Sequence, residues 1–173
     1  MYEEIQKYIR DVADFPKKGI IFKDITPALN NGQCLQHIVD MFYNRFKGAK
    51  IDKIAAIESR GFLLGAPLAY KLGCGIILLR KPGKLPSEKI KEYYDLEYGS
   101  AALEIHTDSI RNGERILLID DLLATGGTTE AACKLIKRLN GQIAAMTFLI
   151  ELSFLGGAKK LAPYGDIVSF LKY

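Results

Sequence analysis

The chain has no tryptophan, two histidines, three cysteines and six prolines among its 173 residues. The cysteines, at positions 34, 74 and 133, are odd in number and widely spaced, with no CxxC pair. That excludes a disulfide framework and a thiolate zinc site, and it predicts packing thiols in a reducing cytosol. His37 and His106 stand apart from each other and from any ligand spacing, so surface or interface positions are expected of them. No apolar run reaches the length of a membrane span. The opening residues, MYEEIQKYIR, carry acids where a secretory leader carries bases, and no apolar core follows them. Neither a membrane partner nor export is therefore expected. An excess of charge is missing as well. Lys and Arg number 24 against 20 Asp and Glu, which leaves +4 and a pI near 8.9. So mild a balance fits an anionic small molecule as well as a nucleic acid.

What remains is 49% hydrophobic and 25% charged, the profile of an ordinary globular domain rather than a disordered or fibrous chain. No repeat, linker or low-complexity tract interrupts it, so one domain over 1–173 is predicted. Ile5, Ile9 and Val12 have the spacing of a short amphipathic helix over Glu3 to Val12. DFPKKGIIFKDITP (14–27), punctuated by Pro and Gly, reads as ordered loop. Leu35, Ile38, Val39, Phe42 and Phe46 mark a helix closed by Gly48.

An alternation then sets the fold class. KIAAIE (53–58), GIILL (75–79), RILLI (115–119), AAMTFLI (144–150) and DIVSF (166–170) are short apolar strand candidates. Helical stretches over 61–73 and 131–139 separate some of them, and a hairpin region precedes Arg115. Continuously apolar strands alternating with helices imply an α/β protein with a mostly parallel sheet covered on both faces. Ligands of such sheets bind beyond the carboxyl ends of the strands, which directs attention to the residues after Ile57, Leu79 and Ile119.

The most informative of these segments is DDLLATGGTTEAA (120–132). Two adjacent carboxylates end a buried strand, and a Thr-Gly-Gly-Thr turn opens a helix. Without large side chains, the turn can close its backbone N–H groups around an anion, helped by the helix dipole and two threonine hydroxyls. Asp120 and Asp121 can accept hydrogen bonds from vicinal sugar hydroxyls. An anion receptor beside diol acceptors has the shape of a ribose 5-phosphate site. Two other phosphate motifs are excluded: no Lys follows Gly127 as a P-loop requires, and Gly73-Cys74-Gly75 runs on to Leu78 rather than to a third glycine.

Four apolar residues, two acids and a TGGT loop resemble the phosphoribosyl pyrophosphate (PRPP) motif of the type I phosphoribosyltransferase family. FPKKGIIFKDITP, ESRGFLLGAPLA with RKPGKLP, and YYDLEYGSAALEIH are similar to the adenine-using branch of that family, in the same order and over essentially the whole chain. The resemblance implies a sheet flanked by helices with a small hood from the N-terminal segment. It also implies transfer of 5-phosphoribosyl from PRPP to adenine, giving AMP and pyrophosphate, in a cytoplasmic homodimer that uses Mg²⁺ held mainly by the substrate.

Residue by residue, it gives Ala124, Thr125, Gly126, Gly127 and Thr128 to the 5-phosphate and Asp120 and Asp121 to the ribose hydroxyls. Ser59 and Arg60, in Glu58-Ser59-Arg60-Gly61, fall to pyrophosphate; many relatives have Asp at the position of Glu58. Arg80, Lys81 and Lys84 belong to a lid over the diphosphate, which some relatives complete from the neighbouring subunit. Glu97 becomes the proton handler near the purine, with Tyr98 beside it. Ile20, Ile21, Phe22 and Lys23, with Leu122, fall to adenine. Relatives more often carry Arg at position 23, and Lys keeps the charge without the planar fork. Two rivals share the fold: a phosphoribosyltransferase for another base and a PRPP-sensing regulator. The 6-oxopurine members usually have an acid where Ala124 stands. A regulator needs a DNA-reading module, for which the short N-terminal segment has no room, so no nucleic-acid partner is expected.

Overall fold

The computed structural model describes residues 2–95 and 100–173. The chain forms two compact units, Met1–Lys47 and Gly48–Tyr173. In the first, a short helix α1 (Tyr2–Gln6) precedes strands β1 (Arg10–Ala13) and β2 (Ile21–Asp24), followed by α2 (Thr26–Asn30) and α3 (Gly32–Phe46).

Two expectations are corrected here. The helix expected through Val12 stops at Gln6, and Val12 instead pairs with Phe22 across an antiparallel ladder. The loop expected over 14–27 holds a strand and the start of a helix. Pro16 and Gly19 punctuate only the connection, where the Phe15 N–H donates to the Ile20 carbonyl and the Gly19 N–H to Asp14 Oδ1, and Pro27 lies in the first turn of α2. The β-branched run beyond that turn finds a partner strand, and pairing outweighs the local loop signal. Asp24 then caps α2 by accepting from the Thr26 N–H at 2.9 Å and from its hydroxyl at 2.5 Å. Those bonds, with Arg10 beside it, hold the Asp24 carboxyl down at about 2.

The second unit runs β3 (Lys53–Ile57), α4 (Arg60–Leu72), β4 (Gly75–Leu79), β5 (Lys89–Asp95), β6 (Ser100–His106), β7 (Arg115–Leu123), α5 (Gly127–Arg138), β8 (Gln142–Glu151), α6 (Gly157–Leu161) and β9 (Ile167–Lys172). Five strands form a parallel sheet in the order β4-β3-β7-β8-β9, and β5 and β6 form a separate antiparallel pair. Ile54 to Ile57 and Ile116 to Ile119 are almost wholly buried, as continuously apolar central strands require. A Cβ on Gly65 would lie 2.8 Å from that of Ala56, so only a glycine lets α4 lie this close to β3.

After β3 the chain steps outward to β4 and then returns to place β7 on the other side of β3. The reversal opens a crevice at the carboxyl ends of β3 and β7, the general place for a ligand in open parallel sheets. Strand β7 also runs further than RILLI. It continues through the acid pair to Leu123, with Asp120 paired to Phe148 and Leu122 to Ile150. The two carboxylates therefore leave a hydrogen-bonded strand, which fixes their backbone.

Candidate active site

Because successive strand residues face opposite ways, Asp120 and Asp121 have different surroundings. Asp121 is buried, and its carboxylate accepts from Arg60 Nε. Asp120 is half-buried, and its Oδ1 accepts the Asp121 N–H at 2.9 Å. Burial, with the neighbouring Asp121 charge, raises the Asp120 carboxyl well above its ordinary range, and Arg60 opposes this only in part. Gly61 makes the arrangement possible, since a Cβ there would sit 3.0 Å from Asp120 Oδ1 and 3.1 Å from the Ile119 carbonyl oxygen.

In front of the acids lies a cavity of about 700 Å³. Glu58, Ser59 and Arg60 from the end of β3 line it, as do Lys81 and Pro82 from the loop after β4, and Asp120, Asp121 and Thr128. Tyr93, Tyr94 and Ser100 to Ala102 contribute a wall from the β5–β6 pair. Sequence reasoning had not singled out that wall. Its signal is the cross-strand pairing of bulky and small residues, Tyr93 with Ala102 and Tyr94 with Ala101.

Arg80 to Pro86 is neither helix nor strand, and Leu85 is its buried anchor. Arg80 turns its Nε to Glu58 Oε2 at 3.2 Å and its Nη1 to the Lys84 carbonyl at 3.2 Å. Glu58 Oε2 also accepts the Lys81 N–H at 3.0 Å. Burial pushes the Glu58 carboxyl up, but the Lys81 N–H and the Arg80 and Lys84 charges outweigh it and hold it below the ordinary range. Of the three cations read as lid residues, Lys81 lines the cavity, whereas Arg80 and Lys84 do not.

A second, smaller cavity of about 80 Å³ is formed by Asp120 and residues 122–129. At roughly 30 Å³ per water, it has the scale of a single small anion. Gly126 enters α5 at φ +83°, a left-handed conformation that favours glycine. The loop rests on a support the sequence did not announce, because a Cβ on Gly157, at the start of α6, would overlap the Ala124 carbonyl oxygen. The two cavities share Asp120 and Thr128.

Elsewhere, Lys23 pairs with Asp11 at 2.7 Å across β1 and β2, and the rings of Phe22 and Phe15 meet edge to face at 5.2 Å. Ile20 and Ile21 are exposed. Glu97 and Tyr98 lie outside the described residues. His106, expected at a surface or interface position, accepts the Ser87 N–H on Nε2 at 3.3 Å. Among the described residues, no group of three or more His, Cys, Asp and Glu could hold a metal ion, and no helix is long and apolar enough to cross a membrane.

Residues 27–171 match the phosphoribosyl transferase domain family, which fixes the class of protein to which this sheet and its crevice belong. Over 99% of its length, the chain is 54% identical to the adenine phosphoribosyltransferase of Geobacter metallireducens, itself 99% covered. The crystal structure of adenine phosphoribosyltransferase from Thermoanaerobacter pseudethanolicus superposes with a TM-score of 0.97, 51% identity and 100% coverage of both chains. That from Saccharomyces cerevisiae, complexed with an imino-altritol bisphosphate and adenine, matches at a TM-score of 0.93 and 37% identity, covering 98% of each chain. The chain belongs to the adenine phosphoribosyltransferases.

Proposed function

We propose that this protein transfers the 5-phosphoribosyl group of PRPP to adenine, releasing AMP and pyrophosphate. The observation that carries the reading is the pair of adjoining cavities that share Asp120 and Thr128. One is small and lined by Asp120 and the turn that opens α5, and the other is large and lined with charge. Ala124 to Thr128 hold the 5-phosphate, and Asp120 and Asp121 accept hydrogen bonds from the ribose hydroxyls. Ser59, Arg60, Arg80, Lys81 and Lys84 take the diphosphate. Ile20, Ile21, Phe22, Lys23 and Leu122 are assigned to adenine, and Glu97 and Tyr98 to the purine end of the reaction.

The C1–O bond to pyrophosphate breaks through an oxocarbenium-like state as purine N9 attacks C1. No protein nucleophile is needed. Asp121 holds the Arg60 guanidinium by Nε, so that its charge is in position when the leaving group develops its own. Glu97, at the purine, handles the proton that N9 gives up. A loop closing over the large cavity excludes water, which competes with adenine for the same carbon. Among the described residues, the carboxylates that line the cavity are Glu58, Asp120 and Asp121, and a cation that keeps its waters and binds through substrate phosphates fits so small a donor set. When bound, Mg²⁺ neutralises charge on the departing diphosphate.

The family match begins within the first compact unit and runs on through the second, and the Geobacter metallireducens relative aligns over 99% of the chain, which supports one functional domain over 1–173. Leu63 and Tyr70 on α4, and Ile76 and Leu78 on the edge strand β4, are large apolar side chains left exposed, which supports a homodimer. Free Cys34, Cys74 and Cys133 support a cytoplasmic location.

The test is turnover of labelled PRPP with a panel of bases. Backbone carbonyls along Ile20 to Lys23, at the start of β2, accept from an exocyclic amine, whereas a 6-oxo group would meet them acceptor to acceptor. Adenine should be preferred over hypoxanthine by at least ~10³-fold in kcat/KM. Comparable rates with both overturn the base assignment, and no turnover with any base returns the chain to the regulator reading.

A further inference from the structure

Glu104 has no role assigned to it within YYDLEYGSAALEIH, yet it is 2% exposed in β6, where a carboxylate needs partners. It has two. Oε2 accepts the Gly83 N–H at 3.0 Å, and Oε1 pairs with Lys91 Nζ at 3.2 Å across the β5–β6 ladder. The backbone adds two bonds: the Arg80 N–H donates to the Glu104 carbonyl at 3.0 Å, and the Glu104 N–H to the Arg80 carbonyl at 2.7 Å. Burial pushes the carboxyl up, but the Gly83 N–H, Lys91 and Lys89 outweigh it and keep Glu104 ionised below the ordinary range.

Gly83 forms the apex of the turn that follows Lys81 and Pro82, the two residues of this loop that line the large cavity. The loop backbone is thus held by two carboxylates. Glu58 grips the Lys81 N–H on the cavity side, and Glu104 grips the Gly83 N–H from behind. Glu104 itself does not line the cavity. We propose that Glu104 is a positioning residue for diphosphate recognition, acting through the Pro82–Gly83 turn to hold Lys81 toward the ligand. This rests on the reading of that loop as the diphosphate-binding one. What matters is the reach of the side chain to Gly83. The charge serves mainly Lys91, which is 37% exposed and can turn to water.

Two conservative variants separate reach from charge. Glu104→Gln keeps the reach and loses the charge, whereas Glu104→Asp keeps the charge and falls one methylene short. Binding of inorganic pyrophosphate and of AMP is measured by calorimetry for both, with Lys81→Ala as the control. Glu104→Asp is expected to weaken pyrophosphate by about tenfold and Glu104→Gln by no more than about threefold, with AMP within about twofold in each. The reverse order, with Glu104→Gln the weaker, means the carboxylate only balances charge and overturns the proposal. Equal losses of AMP and pyrophosphate in Glu104→Asp also overturn it, because the defect then lies in the fold. If Lys81→Ala weakens pyrophosphate and Glu104→Asp does not, Glu104 has no positioning role. If neither does, the reading of the loop itself has failed, and the role of Glu104 with it.

Discussion

The two loops proposed to bind anions, both at the carboxyl ends of parallel strands, are built in opposite ways. Ala124 to Thr128, after β7, offers backbone and hydroxyls. Its glycines are buried, its entry is a left-handed Gly126, and it leans on Gly157 with no room to spare. Arg80 to Pro86, after β4, offers long cationic side chains on an exposed backbone, held by Leu85 and by hydrogen bonds to Glu58 and Glu104. The contrast follows the chemistry proposed for each. A phosphate that stays on the ribose from substrate to product needs a fixed receptor, in which the N–H groups are aimed before the ligand arrives. A diphosphate that must leave is better met by side chains that can let go.

Breaking the rigid loop should have the largest effect. Gly127→Val puts a branched side chain where the 5-phosphate must approach the backbone. Losing two or three charge-assisted hydrogen bonds, at ~1.5–3 kcal/mol each, should weaken AMP by several orders of magnitude. Gly157→Ala, which pushes on the Ala124 carbonyl from behind, should act in the same direction with a smaller loss. Pyrophosphate affinity should stay near wild type in both variants. Calorimetry with the two ligands checks this, and a matching loss of both would erase the division of labour between the loops.

Between the loops stand the acids, and they predict a pH dependence. In the proposed role, Asp120 accepts a ribose hydroxyl beside Asp121, which its ionised form does best, and its carboxyl is raised by burial and by Asp121. Affinity for ribose 5-phosphate should therefore climb with pH through that raised value, by at most tenfold per pH unit for a single ionisation, and then level off. The stability of the unliganded protein should move the other way. A folded-state pKa above the unfolded one gives stability that is fully present below the ordinary carboxylate range and lost as pH rises through the raised value. Asp120→Asn should flatten both curves. Thermal melts and titrations across the acid range supply the measurement, and an affinity in the wild type that does not change with pH would remove Asp120 from the ribose.

The readable parts of this chain are those whose signals are local. Apolar runs marked all five strands of the parallel sheet, and the acids and TGGT marked the crevice, because a strand end and a helix start are each encoded within a few residues. The parts that were missed depend on partners far along the chain. Val12 and Phe22 pair only once the turn between them has formed, so each segment alone resembled something else. Leu122 and Leu123 extended β7 past the acids because β8 was there to receive them. No local signal marks what Glu104 and Gly157 do, since their meaning lies in Gly83 and Ala124, which only the fold brings near. Family resemblance supplied roles for residues such as Lys84 and Arg80 whose side chains do not line the large cavity, a detail that spacing does not encode.

The smallest expected effect is also the most direct comparison of the two loops. Exposed cations act on a ligand through solvent, where the Debye length is about 10 Å at 0.1 M salt and about 3 Å at 1 M. Hydrogen bonds from buried backbone N–H groups depend on contact geometry and are screened much less. Raising the salt from 0.1 to 1 M with a weakly binding electrolyte should therefore weaken pyrophosphate several-fold more than ribose 5-phosphate, each measured by titration on the unmodified protein. Lys81→Ala should reduce that excess, because it removes the one lid cation that lines the large cavity. Gly157→Ala should leave the excess unchanged even as it weakens ribose 5-phosphate overall. Equal salt dependence for the two ligands would mean that both loops bind through diffuse charge, and the structural contrast between them would then have no energetic counterpart.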